Sequence, residues 1–375
     1  MNATLQSAAT HPDHPLLLGW QESIRQAARS GQALALRGTG SKAFYGHPLH
    51  GQPLDTSAYR GILAYEPTEL VITARCGTPL TEIETTLAQQ GQMLAWEPPR
   101  FGLHTGAVGG SVGGMVASGL SGPRRMQAGA VRDFVLGLRL LDGQGRLLKF
   151  GGQVMKNVAG YDLPRMLTGS LGCFGLLTDV SLKVLPCPRH SLSLVFGMDQ
   201  TTALACLNRW AGQGLPVSAS VWQDDTLHLR LSGAEAAVRA AHQRLGGDPL
   251  PGATAEALWT GLRDQTQPFF APDERHLIRV ALPDTAPPLA EPSPVLIEWG
   301  GAQRWYRGDT ALLARLRAQA APLGGHVTLF RAAPGQPPAP VFTPLAAPLL
   351  RLHQALKHAL DPAGVFNPGR MYQEF

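Results

Sequence analysis

Three glycine-rich segments carry most of the residues whose types and spacing suggest chemistry. The first, residues 37–46 (RGTGSKAFYG), follows a short apolar run. Glycine permits backbone conformations that other residues avoid, and successive N–H groups in such a loop can surround phosphate oxygens. The segment predicts a phosphate-binding loop formed by Gly38, Thr39, Gly40, Ser41 and Lys42. An ordinary turn is the alternative, because glycine often follows a strand.

The second segment, residues 105–125, contains seven glycines between positions 106 and 122. It has no charge before Arg124 and no Asn or Asp, which is unusual for solvated surface. This composition suits backbone that lies against a flat or elongated ligand. A flexible linker is the alternative, although linkers are usually serine-rich and contain few apolar residues. The residues of interest are Ser111, Val112, Gly113, Gly114 and Gly119.

The third segment, residues 156–178, has glycines at 169, 172 and 175 and then enters a strand-like run. A helix C-cap and turn would account for one of these glycines but not for three.

The first segment lacks the third glycine of the dinucleotide fingerprint, and no acidic ribose partner is found. A Rossmann site is therefore disfavoured.

The elements that position these segments follow from apolar periodicity. Residues 16–30 predict an amphipathic helix that ends at Gly31, and residues 33–38 predict a strand. Another strand is expected at 70–77, followed by a helix with Thr78 as N-cap and Pro79 at its first position. Residues 93–99 predict a third strand, so we expect a small parallel or mixed sheet.

The later part of the chain predicts a different arrangement. Residues 134–150 predict a hairpin around GQG, and residues 178–186 a half-buried strand that ends near Pro186. After residue 190 the order is strand, helix, strand, strand, helix, then strand, hairpin, helix, strand. We expect an antiparallel sheet with helices on one face. Proline-rich connectors are expected at 281–294 and 331–340, and a last helix at 348–360.

Composition excludes several classes of function. The 375 residues exceed what one core usually serves, so two domains are expected. The net charge of +5 includes no long basic run, which argues against nucleic acid as a partner. The four cysteines include no CxxC pair, so we expect free thiols in a reducing cytoplasm and no self-contained iron–sulfur cluster. We find no signal peptide and no transmembrane segment.

The order of the motifs resembles a known family. R-G-x-G-S, S-V-G-G with A-S-G, K-N-x-A-G-Y-D-L, and G-S-x-G-x-x-G-x-x-T before a strand resemble the FAD-binding domain shared by vanillyl-alcohol oxidase and p-cresol methylhydroxylase. The terminal DPAGVFNPGRMY is similar to the closing segment of FAD-linked oxidases of 2-hydroxy acids. In detail, residues 16–188 and 356–372 resemble the FAD-binding E subunits of bacterial glycolate oxidase (glycolate dehydrogenase).

This resemblance implies an α+β fold with three parts. A two-subdomain FAD-binding domain of the p-cresol methylhydroxylase type would occupy residues 1–186. A cap domain with an antiparallel sheet would follow at 187–350. A C-terminal helix and tail, 351–375, would return to the FAD site.

The resemblance also assigns expected roles to residues. The first loop would hold the FAD pyrophosphate, and the second would run beside the flavin and ribityl chain. The strand at Leu177 and Thr178 would meet the adenine, and Asn367 would lie near the isoalloxazine edge. Many relatives carry a histidine in the first loop that bonds to the flavin covalently; Ser41 stands here, which implies non-covalent FAD.

The implied function is oxidation of glycolate, a small 2-hydroxy acid, to glyoxylate. The implied partners are a second FAD-linked glycolate oxidase subunit and an iron–sulfur subunit. The implied location is the cytoplasm, with peripheral contact at the inner membrane face through the complex.

One departure keeps a second hypothesis open. Relatives that oxidise glycolate or D-lactate carry a histidine-and-acid motif in the cap that we do not find. His228, His276 and His326 are solitary, and Arg304 and Arg331 are weak candidates for binding a carboxylate. No catalytic residue is assigned. The alternative is a non-catalytic subunit that holds FAD as a relay or structural group while its partner oxidises the substrate.

Overall fold

The chain forms two compact units. A computed structural model describes residues 14–152, 162–291, 294–335 and 339–375. The first unit takes its described residues from Met1–Leu120, Ala130–Pro186 and Pro344–Phe375, and the second from Ser121–Gly129 and Cys187–Thr343. This division differs from the predicted boundaries, because residues 121–129 belong to the second unit and the return to the first begins at Pro344. The predicted motif at 156–161 lies outside the described residues.

Ten helices are present in the described part of the chain. They are α1 (Pro15–Ser30), α2 (Leu80–Ala88), α3 (Val112–Ser118), α4 (Arg125–Ala128), α5 (Leu163–Leu167), α6 (Gln200–Ala211), α7 (Glu235–Leu245), α8 (Gly252–Asp264), α9 (Thr310–Ala320) and α10 (Ala347–Leu360). The predicted first helix is confirmed, since α1 ends at Gly31 in the left-handed conformation. The last helix is confirmed as α10. Helix α8 is absent from the prediction.

The described strands number seventeen. They are β1 (Leu34–Arg37), β2 (Gln52–Asp55), β3 (Ile62–Glu66), β4 (Val71–Arg75), β5 (Gln92–Met93), β6 (Val135–Leu141), β7 (Leu147–Gly151), β8 (Leu176–Lys183), β9 (Leu185–Pro186), β10 (His190–Gly197), β11 (Val217–Gln223), β12 (Thr226–Gly233), β13 (Asp248–Pro249), β14 (His276–Ala281), β15 (Val295–Glu298), β16 (Gln303–Gly308) and β17 (His326–Arg331). The α+β class is therefore confirmed.

The first unit contains a five-stranded sheet in the order β3-β4-β8-β6-β7, in which every pairing is antiparallel. The expected parallel or mixed sheet of the first three predicted strands is wrong, because β1, β4 and β5 lie in three different sheets. Among the described residues of this unit, the parallel pairings are β1 with β2 and the bridge between Leu34 and Phe366. The sequence did not predict β2 and β3. The third strand, predicted at residues 93–99, is only the two-residue strand β5. The hairpin β6–β7 is confirmed.

Strand β8 lies at the centre of that sheet and is buried on both faces. Val180 and Leu182 are fully buried as predicted, but the alternating polar residues Asp179 and Ser181 are buried as well. The half-buried interpretation is therefore wrong. Burial is tolerated because these polar groups have partners: Ser181 bonds Thr73 at 2.8 Å, and Asp179 accepts from Tyr59 at 3.2 Å.

Helix α2 begins one residue later than predicted. Leu80, Ile83 and Leu87 share its buried face, as expected. Thr78 is not the N-cap, however, because its hydroxyl bonds the backbone N–H and C=O of Gly61 at 2.9 and 3.2 Å. Pro79 occupies the cap position without a side-chain hydrogen bond.

The second unit is built on an antiparallel eight-stranded sheet in the order β13-β10-β12-β11-β15-β16-β14-β17. Helices α6, α7 and α9 pack on one face through two apolar clusters that meet at Val295. Helix α8 lies on the opposite face, where Trp259 donates to the Ser193 hydroxyl at 2.8 Å. The predicted antiparallel sheet and the hairpin β15–β16 are confirmed.

The segment 121–129 belongs to this second unit, where it contacts strand β11 and Trp299. The indole Nε1 of Trp299 donates to the Gly122 carbonyl at 3.0 Å, and the Arg125 guanidinium lies 4.4 Å from the Trp299 ring. Helix α4 therefore packs on strand β11 and on the turn at Trp299, which both come much later in the chain. No helix among the described residues is long and apolar enough to cross a membrane.

Candidate functional site

The first predicted loop leaves strand β1 and turns sharply at Gly40. The backbone N–H of Ala43 donates to the Gly40 carbonyl at 3.0 Å, and Gly40 has a φ of 75°. A Cβ placed at Gly40 would lie 3.2 Å from the Arg37 guanidinium, so this arginine lies beside the loop. Lys42 reaches Ser41 Oγ at 3.5 Å. The loop thus carries two cations next to backbone with a conformation that favours glycine.

The second segment contains helix α3 rather than a fully extended loop. Ser111 caps the helix, since its Oγ accepts from the Gly114 N–H at 3.3 Å. Gly113 approaches Cys76, the residue that follows β4, because the Gly113 N–H donates to the Cys76 carbonyl at 2.8 Å. A Cβ at Gly113 would lie 2.7 Å from the Cys76 Cβ, whereas a Cβ at Gly114 would meet only Ser111 Oγ at 3.4 Å. The absence of a side chain at Gly113 therefore allows α3 to pack against Cys76, whereas Gly114 faces open space.

The third segment is tied to the end of α3. The N–H groups of Gly169 and Leu171 donate to the carbonyls of Val116 and Ala117 at 2.9 and 2.8 Å. Gly119 ends α3 with a φ of 65°, and a Cβ there would lie 3.0 Å from the Gly169 Cα. These contacts place the second and third glycine-rich segments side by side.

Two cavities that share lining residues lie between the three segments. The first has a volume of about 270 Å³ and the second about 90 Å³. We call them together the glycine groove. The first cavity is lined by Leu36, Arg37, Gly38, Thr39, Gly40, Ser41, Lys42, Ala43, Leu49, Ser111, Gly114, Ala117, Ser118, Leu171, Asn367 and Arg370. The second adds Thr56, Cys76, Gly113, Gly172, Gly175, Leu176 and Leu177.

The predicted site residues divide into two groups. Ten of them line the glycine groove: Gly38, Thr39, Gly40, Ser41, Lys42, Ser111, Gly113, Gly114, Leu177 and Asn367. Three lie outside its lining: Val112, Gly119 and Thr178. The Val112 side chain is fully buried, and the Thr178 hydroxyl donates to Asp179 at 3.1 Å. These three residues therefore support the backbone of the segments and do not face the groove.

The C-terminal tail closes the groove through Asn367. The Asn367 Oδ1 accepts from the Leu36 N–H at 2.8 Å, and its Nδ2 donates to the Leu171 carbonyl at 2.7 Å. Its backbone also continues the pairing beside β1, since the Asn367 N–H donates to the Leu34 carbonyl at 3.1 Å. The side-chain amide thus joins strand β1, which leads into the first glycine-rich segment, to the third glycine-rich segment.

Arg370 is a lining residue that the sequence reasoning missed. Its guanidinium donates to the carbonyls of Ala43 and His47 and so holds the end of the first loop. Burial lowers the pKa of the Arg370 guanidinium, but arginine stays charged at neutral pH. Arg370 lies in the terminal motif quoted from the sequence, which was the available signal for it.

A buried ion pair anchors the tail upstream of these residues. The Lys357 ammonium contacts Asp361 Oδ2 and the carbonyls of Cys173 and Phe366, each at 2.7 Å. Asp361 in turn accepts from the N–H groups of Val365 and Phe366 at 3.0 and 2.8 Å. All three ammonium protons therefore have acceptors, which a buried amine requires.

The charge of the groove is uniformly positive. Arg37, Lys42 and Arg370 line it, and no carboxylate appears among its described lining residues. Phosphate groups would be attracted by such a field, and backbone N–H groups of glycine-rich segments can bond to them. Among the described residues, no three His, Cys, Asp or Glu side chains are grouped as a metal site. The groove therefore suits an elongated anionic organic ligand.

The residues of the second unit that were considered as substrate contacts have structural partners. Arg304 is buried and donates to the carbonyls of Gly301, Pro287 and Ala286. His276 accepts from the Ala333 N–H at 3.0 Å. Arg331 donates to the Phe270 carbonyl at 3.3 Å and to Gln265 Oε1 at 3.1 Å. These contacts explain why the residues are buried or half-buried without a ligand.

The fold and the glycine groove define an FAD-binding domain. A family model described as "FAD binding domain" matches residues 20–151. A solved structure of alkyldihydroxyacetonephosphate synthase superposes with a TM-score of 0.64 at 13% identity, covering 93% of this chain and 74% of that chain. At this low identity the likeness concerns the fold alone.

The sequence comparisons narrow this class to one family. The glycolate oxidase subunit GlcE of Escherichia coli (strain K12) is 49% identical over 353 residues, which is 94% of this chain and 96% of that protein. The D-lactate dehydrogenase of Anaerostipes hadrus is 31% identical over 134 residues, 36% of this chain and 27% of that protein. The glycolate oxidase subunit GlcD of Bacillus subtilis is 28% identical over 134 residues, which is 36% of this chain and 27% of that protein. The chain belongs to the GlcE family of FAD-binding glycolate oxidase subunits.

Proposed function

We propose that this chain is the FAD-holding subunit of a complex that oxidises glycolate to glyoxylate. The observation that carries the proposal is the positively charged glycine groove, in a chain that matches GlcE over nearly its whole length. When bound, FAD supplies the two-electron acceptor that oxidation of a 2-hydroxy acid to a 2-oxo acid requires. The chain's own residues would bind this cofactor and orient it.

The groove residues divide this task. The loop from Gly38 to Lys42 would surround the pyrophosphate with N–H groups and hydroxyls, with Arg37 and Arg370 adding charge. Gly114 and Ser111 would lie beside the elongated part of the cofactor, and Leu177 would contact its adenine end. Asn367 would act by holding strand β1 and the third glycine-rich segment at a fixed separation, because its amide bonds both. Three residues outside the groove lining would stabilise the backbone that makes these contacts: Val112, Gly119 and Thr178.

The domain assignment follows from the same residues. The first unit would be the FAD-binding domain, and the second unit would be the cap. The C-terminal part of the first unit would complete the FAD site through Asn367 and Arg370. These assignments rest on the groove lying wholly among residues of the first unit.

The proposed partners are a second FAD-linked glycolate oxidase subunit and an iron–sulfur subunit. The E. coli relative is named as a subunit, which supports membership of a complex. The described cysteines are dispersed, and Cys76 and Cys173 are buried, so onward electron transfer through a cluster would need another chain. The proposed location is the cytoplasm, with contact at the inner face of the membrane through the complex.

A second candidate function is an FAD-holding relay whose partner oxidises glycolate. The structural bonds of Arg304, Arg331 and His276 favour it, because these groups are already engaged by the second unit itself. The two functions predict different results when glycolate is added without air. If the chain oxidises glycolate, its flavin is reduced and loses its yellow absorbance. If the chain is a relay subunit, its flavin is reduced only when the partner is present.

The purified chain is expected to be yellow, with FAD bound non-covalently, because Ser41 cannot form the histidyl bond of covalent relatives. Acid precipitation should release the flavin into the supernatant, where absorbance measures it. Flavin that stays in the pellet would contradict non-covalent binding. Colourless protein that cannot be reconstituted with FAD would contradict the proposed function. Anaerobic addition of glycolate to the chain alone and to the complex then separates the two candidate functions.

Gly114→Val and Gly113→Val are expected to fail in different ways. A valine at 114 would enter the groove with little protein in its path, so the protein should fold and lose most of its flavin. A valine at 113 would collide with Cys76, so the folded protein itself should be lost. Thermal unfolding and flavin content measure the two effects. Gly252→Val, at an open position in the first turn of α8, is the matched control and should keep its flavin.

A further inference from the structure

Four aromatic rings meet where residues 372–375 fold back on the first unit. Phe375 stacks on Phe174, with ring centroids 5.9 Å apart and planes 18° apart, and on His353 of α10, at 5.8 Å and 25°. The Tyr372 ring lies 5.7 Å from the Phe375 ring and 6.5 Å from the His353 ring. We call these four residues the tail ring cluster. Aromatic pairs contribute more than the area they bury, so the cluster holds the tail against α10 and the third glycine-rich segment.

The backbone of Phe375 is tied to the part of the tail that lines the glycine groove. The Gly369 N–H donates to the Phe375 carbonyl at 2.9 Å, and Gly369 has a φ of 70°. The chain therefore folds back on itself between these two residues, and Arg370 directly follows the first of them. On the other side, the Arg370 N–H donates to the Asn367 carbonyl at 3.1 Å. Arg370 is thus held by two anchors, the Asn367 amide upstream and the Phe375 ring downstream.

Arg370 is in close contact with the end of the first loop. Its guanidinium donates to the carbonyls of Ala43 and His47, and the His47 N–H donates to the Arg370 carbonyl at 2.9 Å. A Cβ placed at Gly46 would lie 3.0 Å from both the Arg370 Nε and its carbonyl oxygen. A displacement of Arg370 would therefore disturb the loop and also move a cation of the groove lining.

The two stacked partners of the tail are fixed unequally. Phe174 is only 3% exposed, so the first unit itself holds this ring. Phe375 is half-buried, and the contacts that hold its side chain in the described structure are those of the tail ring cluster. Loss of the Phe375 ring should therefore release the tail, with Arg370 in it, and leave the third glycine-rich segment in place.

We propose that Phe375 is a positioning residue for FAD, which acts by holding Arg370 in the glycine groove. This inference rests on the proposed function, since it takes FAD as the ligand of the groove. Phe375 is not among the described lining residues, so its effect must pass through a residue that is. If FAD requires Arg370 in place, its apparent Kd rises by the factor by which the competent fraction of the protein falls.

The test is a double-mutant cycle in the full chain, with the Kd of FAD measured by titrating FAD-free protein and following flavin fluorescence. Phe375→Ala is expected to raise the Kd about tenfold, as the loss of the ring contacts would. Phe375→Tyr keeps the ring and should stay within about twofold of the unchanged protein. Arg370→Gln removes the guanidinium, so Phe375→Ala added to it should change the Kd by less than about twofold.

Phe196→Ala is the matched control from the second unit. Phe196 is also half-buried, and its ring lies 5.4 Å from that of Trp210. This variant should lose thermal stability but keep the Kd of FAD within about twofold, because the site is independent of the groove. A second measurement needs no flavin: hydrogen exchange of the His47 N–H in the FAD-free protein should be faster in Phe375→Ala and unchanged in Phe196→Ala.

An unchanged Kd in Phe375→Ala would overturn the inference, as would an effect that persists in full when Arg370→Gln is already present. An equal rise in the Kd in Phe196→Ala would overturn it too, because the effect would then be one of general stability. If Phe375→Ala does not fold, Phe375→Leu takes its place in the cycle, since leucine keeps apolar volume without the ring. Failure of the unchanged chain to bind FAD would count against the proposed function instead, and the exchange of the His47 N–H would still decide whether Phe375 positions Arg370.

Discussion

Asn367→Leu is expected to remove FAD from the purified protein and to lower its free energy of unfolding by about 2–4 kcal/mol. The substitution leaves the Leu36 N–H and the Leu171 carbonyl without the amide that now bonds both. Each of these part-buried groups loses its partner at a desolvation penalty, and leucine also tolerates a φ of 40° poorly. Because the two lost bonds join strand β1 to the third glycine-rich segment, the groove itself should open.

Flavin content and urea unfolding measure the two parts of this prediction. Asn367→Asp should be intermediate, since it keeps an acceptor for Leu36 and tolerates the backbone conformation, but it cannot donate to Leu171. Asn208→Leu is the control from the second unit, where the amide also bonds two carbonyls, those of Leu204 and Asp284. It should cost stability and leave the FAD content unchanged. Full flavin content in Asn367→Leu would refute the role given to this amide.

Lys357→Met is expected to lower the free energy of unfolding by about 3–5 kcal/mol, because it leaves the buried Asp361 carboxylate without its cation. The same change frees the carbonyls of Cys173 and Phe366. The tail that carries Asn367 and Arg370 should then detach more readily, and FAD should dissociate before global unfolding. Urea titrations followed in parallel by circular dichroism and flavin fluorescence would show this separation.

The matched control for Lys357 is Arg239→Met in α7. Arg239 and Glu235 form an ion pair with the same four-residue spacing, but both side chains are about two-thirds exposed. Exposed pairs contribute little, so this variant should unfold like the unchanged protein. The double variant Lys357→Met/Asp361→Asn should recover part of the loss, since no unpaired charge remains buried. Equal stability of Lys357→Met and Arg239→Met would contradict the anchoring role of Lys357.

The local features of the site were predictable because they depend on residue type at close spacing. Glycines at 38, 40 and 114 mark the groove in the sequence as they do in the structure. Helix α1 was also predictable, since Leu17, Trp20, Ile24 and Ala27 follow its 3.6-residue period. These features need no information about distant parts of the chain.

The features that were missed depend on contacts distant in sequence. Nothing near Asn367 indicates that its amide bonds residues 36 and 171, and Thr78 has the composition of an N-cap although its hydroxyl bonds Gly61. Strand β2 is missed because Gln52–Asp55 alternates weakly and owes its conformation to pairing with β1. The distinction between Gly113 and Gly114 likewise needs the position of Cys76.

The assignment of residues 121–129 to the second unit has a consequence for recombination between relatives. The chain passes from one unit to the other at 120/121, 129/130, 186/187 and 343/344. A crossover that exchanged residues 187–343 as one block would import a new residue 299 while retaining the old Gly122 and Arg125. Viable chimeras should therefore take residues 121–129 and residues 187–343 from the same parent. The second unit consists of two separate stretches of sequence and cannot be exchanged as one continuous block.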